Sequence, residues 1–275
     1  MKSSFNILTP VTDTSQCSLL IEVGRQGISY IAYTSDNNCI ALSLFHFEAS
    51  TTNDQVANYL NEIVTEQPLL QRSFNKVNLV YTFPESLLVP DQYVGINTNK
   101  EMLELVYGDA SDNVIRTDAI ANHNLHNVYQ VPRQVDSVIM QLFSTAEHGH
   151  FYSLLPGIFK GTGNQLDCIF STTNITVQLL KEGRLQVIQN FQYKVAEDVV
   201  YFLLNVCQRF DVDINNTTVK LHGMIDEESN LYNELNKYFL HQEFGSLPEQ
   251  FIYNEEIKKY PVHYFNHLFE LAACV

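Results

Sequence analysis

One order of elements runs twice along this chain: three strands, a helix and a further strand. Residues 17–24 (CSLLIEVG) and 28–34 (ISYIAYT) are β-branched and aromatic runs separated by Arg25-Gln26-Gly27, a short glycine-containing break that suits a hairpin. The turn formers Ser35-Asp36-Asn37-Asn38 precede a third strand at 39–47 (CIALSLFHF). Thr51-Thr52-Asn53-Asp54 then offers a helix cap, and Val56, Tyr59, Leu60, Ile63 and Val64 recur at the spacing of one helical face. Residues 76–82 (KVNLVYT) return to a strand, which Phe83-Pro84 ends.

The second pass repeats this order. Strands are expected at 165–171 (QLDCIFS), 174–181 (NITVQLLK) and 184–191 (RLQVIQNF), the last two joined by the turn Glu182-Gly183. Val199, Val200, Phe202, Leu203, Val206 and Phe210 mark the apolar positions of a helix over 195–210, and 217–222 (TTVKLH) is a strand. Such internal self-similarity is an architectural signal. A looser likeness follows, between helices at 99–107 and 231–240 and between His150-Phe151-Tyr152 and His263-Tyr264-Phe265. Gly157 and Lys160-Gly161-Thr162-Gly163-Asn164 mark a loop. The expected division is 1–160 and 161–275, with an extra segment near 108–135 in the first half that holds a strand at 126–131 and the start of a helix after Pro132.

The 275 residues, 45% hydrophobic with 17 Phe and 15 Tyr, suffice for two packed cores. The net charge of −15 is shared: residues 1–160 hold 8 basic and 16 acidic groups, and 161–275 hold 8 and 15. No five-residue window contains more than two Lys or Arg, so the clustered cations that neutralise phosphates are missing and nucleic acid is not expected as a partner. Five scattered cysteines, Cys17, Cys39, Cys168, Cys207 and Cys274, read as buried free thiols of a reducing compartment. The N-terminal stretch lacks the continuous apolar region of a secretion signal, and no apolar run approaches bilayer length. A cytoplasmic location without membrane insertion is the expectation.

The tandem β-β-β-α-β halves are similar to the actin, hexokinase and heat-shock-70 ATPase superfamily, whose halves are ribonuclease H-like. The stretches CSLLIEVGRQGISYIAY, LDCIFSTTNITVQLL, NKVNLVYTFPESLLVP and YPVHYFNHLFELAACV, which span nearly the whole chain, resemble an uncharacterised bacterial family with that actin-like ATPase fold. The second meander, with LLKEGRL across its last turn, also looks like the actin-like cytoplasmic proteins of pilus-assembly and type II secretion machines.

The resemblance implies two turns that hold the phosphates of ATP through backbone amides and small hydroxyls, and acids that hold Mg²⁺ and orient water. The first turn reads Glu22-Val23-Gly24-Arg25-Gln26-Gly27 where the superfamily has Asp-x-Gly followed by small residues. Glu22 is one carbon longer, and Arg25 and Gln26 are bulky. In the second turn, Asp167-Cys168-Ile169-Phe170-Ser171-Thr172-Thr173, the repeat sets Ile169 against Glu22 and Ser171 against Gly24. The second acid is then missing unless Asp167 substitutes. The adenosine turn has one glycine, in Leu221-His222-Gly223-Met224, where two are expected. Glu22, Gly24, Arg25, Asp167, Ser171, Thr172, His222 and Gly223 are thus remnants of a nucleotide site. The expectation is a non-catalytic protein-interaction or scaffold module with a protein partner. The alternative is an ATP-binding switch, kinase or ATPase that uses ATP and Mg²⁺ in an interlobe cleft.

Other constellations read as structural. Glu147-His148-Gly149-His150 has alternate histidines on a strand but no nameable third ligand. His263 and His267 lie four apart on an expected helix, yet Tyr264 stands where a zinc protease needs Glu. Asp226-Glu227-Glu228 suits the start of a helix, and Cys207 the core.

Overall fold

The computed structural model describes residues 2–11, 13–120 and 122–275 and divides the chain into two units. The first holds the residues up to Leu154, Glu249–Ile257 and Val275; the second holds Leu155–Pro248 and Lys258–Cys274. Residues 249–257 are attached to the first unit by backbone bonds, Cys39 N–H to Ile252 O (3.0 Å) and Ile252 N–H to Asn37 O (2.9 Å).

The first unit contains β1 (Lys2–Leu8), β2 (Cys17–Gly24), β3 (Gly27–Thr34), β4 (Cys39–His46), α1 (Asn53–Glu66), β5 (Lys76–Tyr81), β6 (Ser86–Pro90), α2 (Ile96–Tyr107), β7 (Asn113–Ile120), β8 (Leu125–Pro132), α3 (Arg133–Leu142), β9 (Glu147–His150) and the start of α4 (Phe151–Ile158). Its six-stranded sheet has the order β1-β4-β3-β2-β5-β9, with β2, β5 and β9 parallel. A second, three-stranded sheet, β6-β8-β7, is built mainly from residues 113–132. α1 begins where the sequence places a cap: Thr52 Oγ1 accepts Gln55 N–H (3.3 Å) and Gln55 Oε1 accepts Thr52 N–H (2.8 Å). Val56, Leu60, Ile63 and Val64 of α1 pack with Val135 and Ile139 of α3 against Leu19, Ile21, Tyr30 and Leu79.

The second unit contains β10 (Asn164–Phe170), β11 (Asn174–Lys181), β12 (Arg184–Gln192), α5 (Ala196–Arg209), β13 (Thr217–Gly223), α6 (Asn230–Asn236), β14 (His241–Phe244) and α7 (Asn266–Cys274). Its sheet order, β12-β11-β10-β13-β14, repeats β4-β3-β2-β5-β9 with the same directions. Glu182 and Gly183 both take positive φ (51° and 74°), the pair a type I′ hairpin needs between β11 and β12. At α5, Asp198 Oδ2 accepts the N–H groups of Lys194 (2.9 Å) and Val195 (3.1 Å), so the carboxylate sits at the positive end of the helix. Val199, Leu203, Val206 and Cys207 then bury one face against Leu166, Cys168 and Val219.

The duplication extends to single bonds. Thr82 N–H donates to Val23 O (3.0 Å) as Met224 N–H does to Phe170 O (2.9 Å). His150 Nε2 meets Phe83 O (2.9 Å) and His263 Nε2 meets Ile225 O (2.6 Å), the residues that follow Thr82 and Met224. The histidine likeness seen in sequence is therefore a shared fastening of the chain after the central parallel strand. Two expectations need correction. His263 lies in a 3₁₀ turn (Val262–Tyr264) and His267 in α7, so the two do not share one continuous helix; His263 stacks on Phe244 at 4.3 Å. Cys274 is exposed, unlike the other four free thiols, because it ends α7.

Candidate functional site

The β2–β3 turn places Glu22, Gly24 and Arg25. Glu22 points away from the α1 face, opposite Ser29 in the ladder, and is 8% exposed. Its carboxylate accepts Ser29 Oγ–H at 2.6 Å, but loss of water outweighs that bond and pushes the carboxyl up to about 7. Gly24 leaves room for Thr82, whose Oγ1 would lie 2.1 Å from a Cβ there. Arg25 is turned to Glu85 in an ion pair at 2.8 Å.

The titration of Glu22 has a sign that can be measured. The folded state holds its proton from the ordinary glutamate value of 4.5 up to about 7, where the unfolded state has released it, so stability falls as pH rises through that window. Glu22→Gln is expected to flatten this slope and to exceed the wild type at pH 8 by about 2–3 kcal/mol. Parallel urea-midpoint profiles between pH 4.5 and pH 8 for the two proteins would contradict the assignment.

In the second unit the β10–β11 turn is closed on itself. Ser171 N–H and Oγ–H both point to Asn174 O (2.8 and 3.1 Å), Asn174 N–H donates to Ser171 Oγ (3.2 Å), and Tyr193 O–H caps Ser171 O (2.9 Å). Thr172 is exposed at the tip. Ile169 faces Thr176 as Glu22 faces Ser29, so an isoleucine stands at the position of the acid.

Asp167 lies one pleat deeper and is fully buried. Gln165 Nε2 reaches both its oxygens (2.8 and 2.9 Å), and Gln178 Nε2 lies 3.3 Å from Oδ2. His222 joins it: the ring packs tilted against Phe159, centroids 4.2 Å apart, and Nε2 stands 3.6 Å from Asp167 Oδ1. The side-chain amide of Asn266 lies against the other ring nitrogen, 2.7 Å from His222 Nδ1. Gly223 adopts φ +77° where the chain passes Phe170. Of the predicted residues, the fold therefore brings Asp167 and His222 together in the core, while Ser171 and Thr172 stay in their turn.

Sequence reading passed over a second polar network, in the first unit. Arg116 pairs with Asp136 (2.7 Å) and covers the Tyr81 ring; Tyr81 O–H donates to Asp136 (3.1 Å) and lies 3.0 Å from His148 Nδ1. Burial, aided by Arg116, lowers the pKa of His148. Asp118 accepts Tyr129 O–H (3.1 Å), His150 N–H (2.8 Å) and Ser153 Oγ–H (2.8 Å). The signal available was the charged pair Arg116 and Asp118, spaced two apart on one side of β7. His150 itself is wholly buried, accepts Tyr152 N–H on Nδ1 and is held well toward the neutral form, its pKa lowered to about 4 by desolvation. Among the described residues no group of three or more His, Cys, Asp or Glu could hold a metal ion, and no helix is long and apolar enough to cross a membrane.

A Bacteroides thetaiotaomicron protein with an actin-like ATPase fold and unknown function superposes with a TM-score of 0.73 at 16% identity, over 84% of this chain and 91% of its own. The PilM-PilN type IV pilus biogenesis complex matches at 0.62 with 10% identity, over 95% and 98%. The cytoplasmic domain of EpsL, an inner-membrane component of the Vibrio cholerae type II secretion system, matches at 0.52 with 11% identity, over 94% and 96%. The comparison with curated proteins gave no match. Residues 9–241 match the family described as protein of unknown function DUF3822. With the duplicated sheets above, this establishes that the chain belongs to the DUF3822 family and has the actin-like ATPase fold.

Proposed function

We propose that this protein is a non-catalytic actin-like module that works by binding a protein partner. The observation that carries this reading is the fate of the groups that would grip a polyphosphate. Ser171 is spent on its own turn, Arg25 on Glu85, and Asp167 on two glutamines, while Glu22 retains its proton toward neutrality and Ile169 faces Thr176 where a second acid would stand. Mg²⁺ needs ionised oxygens with open lone pairs, and a triphosphate needs unspent donors. These residues do not fit Mg-ATP. The relation to a pilus protein in complex with another protein supports the same reading.

Thermal melting with and without millimolar Mg-ATP tests it. A site filled at 100 times its dissociation constant would stabilise the fold by ~2.7 kcal/mol, a shift of several degrees. The expected result is an unchanged midpoint. A shift that Glu22→Ala abolishes would overturn the proposal in favour of a nucleotide switch.

A further inference from the structure

β12 is the outer strand of the second unit's sheet, paired with β11 on one side alone. Antiparallel residues send N–H and C=O together to one side, alternately. Tyr193 N–H donates inward to Thr173 O (2.9 Å), so Phe191, Gln189 and Val187 also face β11. Ile188, Asn190 and Gln192 then turn their backbone groups to the open edge, over the regular stretch beyond the register shift at Leu179/Leu180.

Other sheet edges are shorter, bulged or charged. β9 and β14 have four residues each, β6 has five and ends at Pro90, β7 carries the partly buried charges Arg116 and Asp118, and β1, the outer strand of the first unit's larger sheet, has a register shift between Ser3 and Phe5. β12 carries none of these devices along 187–192. Beside it stand apolar groups able to meet the side chains of an added strand: Phe191 stacks on Phe202 of α5 (4.7 Å), next to Tyr201, 63% exposed, and Val195, 52% exposed.

Charge selects the occupant. From Arg184 to Val195 this acidic chain has no Asp or Glu, and Arg184 and Lys194 are exposed near the two ends. A second copy added antiparallel about Gln189 would set Arg184 opposite Lys194 of that copy, and opposed like charges destabilise a sheet. We infer that the open edge of β12 takes up an extended segment of a partner protein as an added strand, one with alternating apolar side chains and carboxylates at its ends. This rests on the reading of the protein as an interaction module and names the surface and the chemistry of the partner.

The test uses the full chain and two labelled nine-residue peptides of alternating Val and Thr, one with Glu at both ends and one with Lys, with binding followed by fluorescence anisotropy. The Glu-ended peptide is expected to bind ~10-fold more tightly than the Lys-ended one, a difference of about 1.4 kcal/mol. The double variant Arg184→Glu, Lys194→Glu, altered only at exposed side chains, is expected to reverse that preference. Gln192→Pro, which removes an outward N–H, is expected to weaken both peptides at unchanged melting temperature. Equal binding of both peptides, or binding of neither, overturns the inference, as does a concentration-dependent dimer in sedimentation that Gln192→Pro abolishes. A nucleotide-induced melting shift with the peptide preference intact would sink the non-catalytic reading and leave the edge assignment standing; lost preference without a shift would do the reverse.

Discussion

Gly223→Val is expected to destabilise the second unit by at least about 3 kcal/mol, enough to leave it largely unfolded at 37 °C if its stability is that of an ordinary domain. Two costs combine. At φ +77° a β-branched residue is held in the left-handed region that L side chains avoid. A Cβ there would also lie 2.3 Å from Phe170 O, a backbone atom already fixed by Met224 N–H. Neither atom can retreat without breaking the β10–β13 ladder, where Phe170 pairs with Gly223. Gly163→Ala is the internal control, since nothing lies within 4 Å of a Cβ at that position, and it should change stability by less than about 0.5 kcal/mol. Urea unfolding followed through the second unit's tyrosines checks both, and a Gly223→Val protein within 1 kcal/mol of wild type would refute the crowding argument.

The other large effect is expected at Asp118. Its carboxylate gathers three donors from three elements: Tyr129 of β8, the His150 backbone at the end of β9, and Ser153 of α4. Burial raises the pKa of the carboxyl, and the three bonds oppose that rise without cancelling it. Asp118→Ala leaves all three donors without their acceptor and is expected to cost about 3 kcal/mol, whereas Asp118→Asn, which keeps one acceptor oxygen, should cost about half as much. Amide exchange gives the site-specific readout: the His150 N–H should lose protection in Asp118→Ala well before the amides of β2 and β3 do. Uniform loss across the sheet would contradict a local fastening role.

The two meanders were legible because β2, β3, β4, β10 and β11 are largely buried on both faces and so spell out near-continuous runs of Ile, Leu, Val and Tyr, with Glu182-Gly183 supplying a strong turn signal into β12. α1 was legible from Thr52 and its one-sided apolar spacing. β7 was not, since NVIRTDAI carries Arg116 and Asp118 toward the polar network and so lacks an apolar face. β14 (HQEF) has four residues, two of them exposed, and owes its strand state to the parallel register with β13. The helix expected over 231–240 stops at Asn236, where Tyr238 and Phe239 turn back onto Leu235 O instead of continuing.

At the candidate site, the repeat alignment of Ile169 with Glu22 could be read from sequence and agrees with the ladder registers. The meeting of Asp167 with Gln165, Gln178 and His222 could not. It depends on which residues of three different strands share one face, and register is set by tertiary pairing.

The return of residues 249–257 to the first unit gives synthesis a fixed sequence of events. A ribosome works from the N-terminus, and domains fold as their chain emerges. The second unit's whole sheet, finished at Phe244, leaves the exit tunnel before the segment that seats Ile252 beside Asn37 and Cys39. The edge of the first unit near Asn37–Cys39 therefore stays uncapped until the sheet of the second unit has been translated, and only then do Lys258–Cys274 add α7 to that second unit.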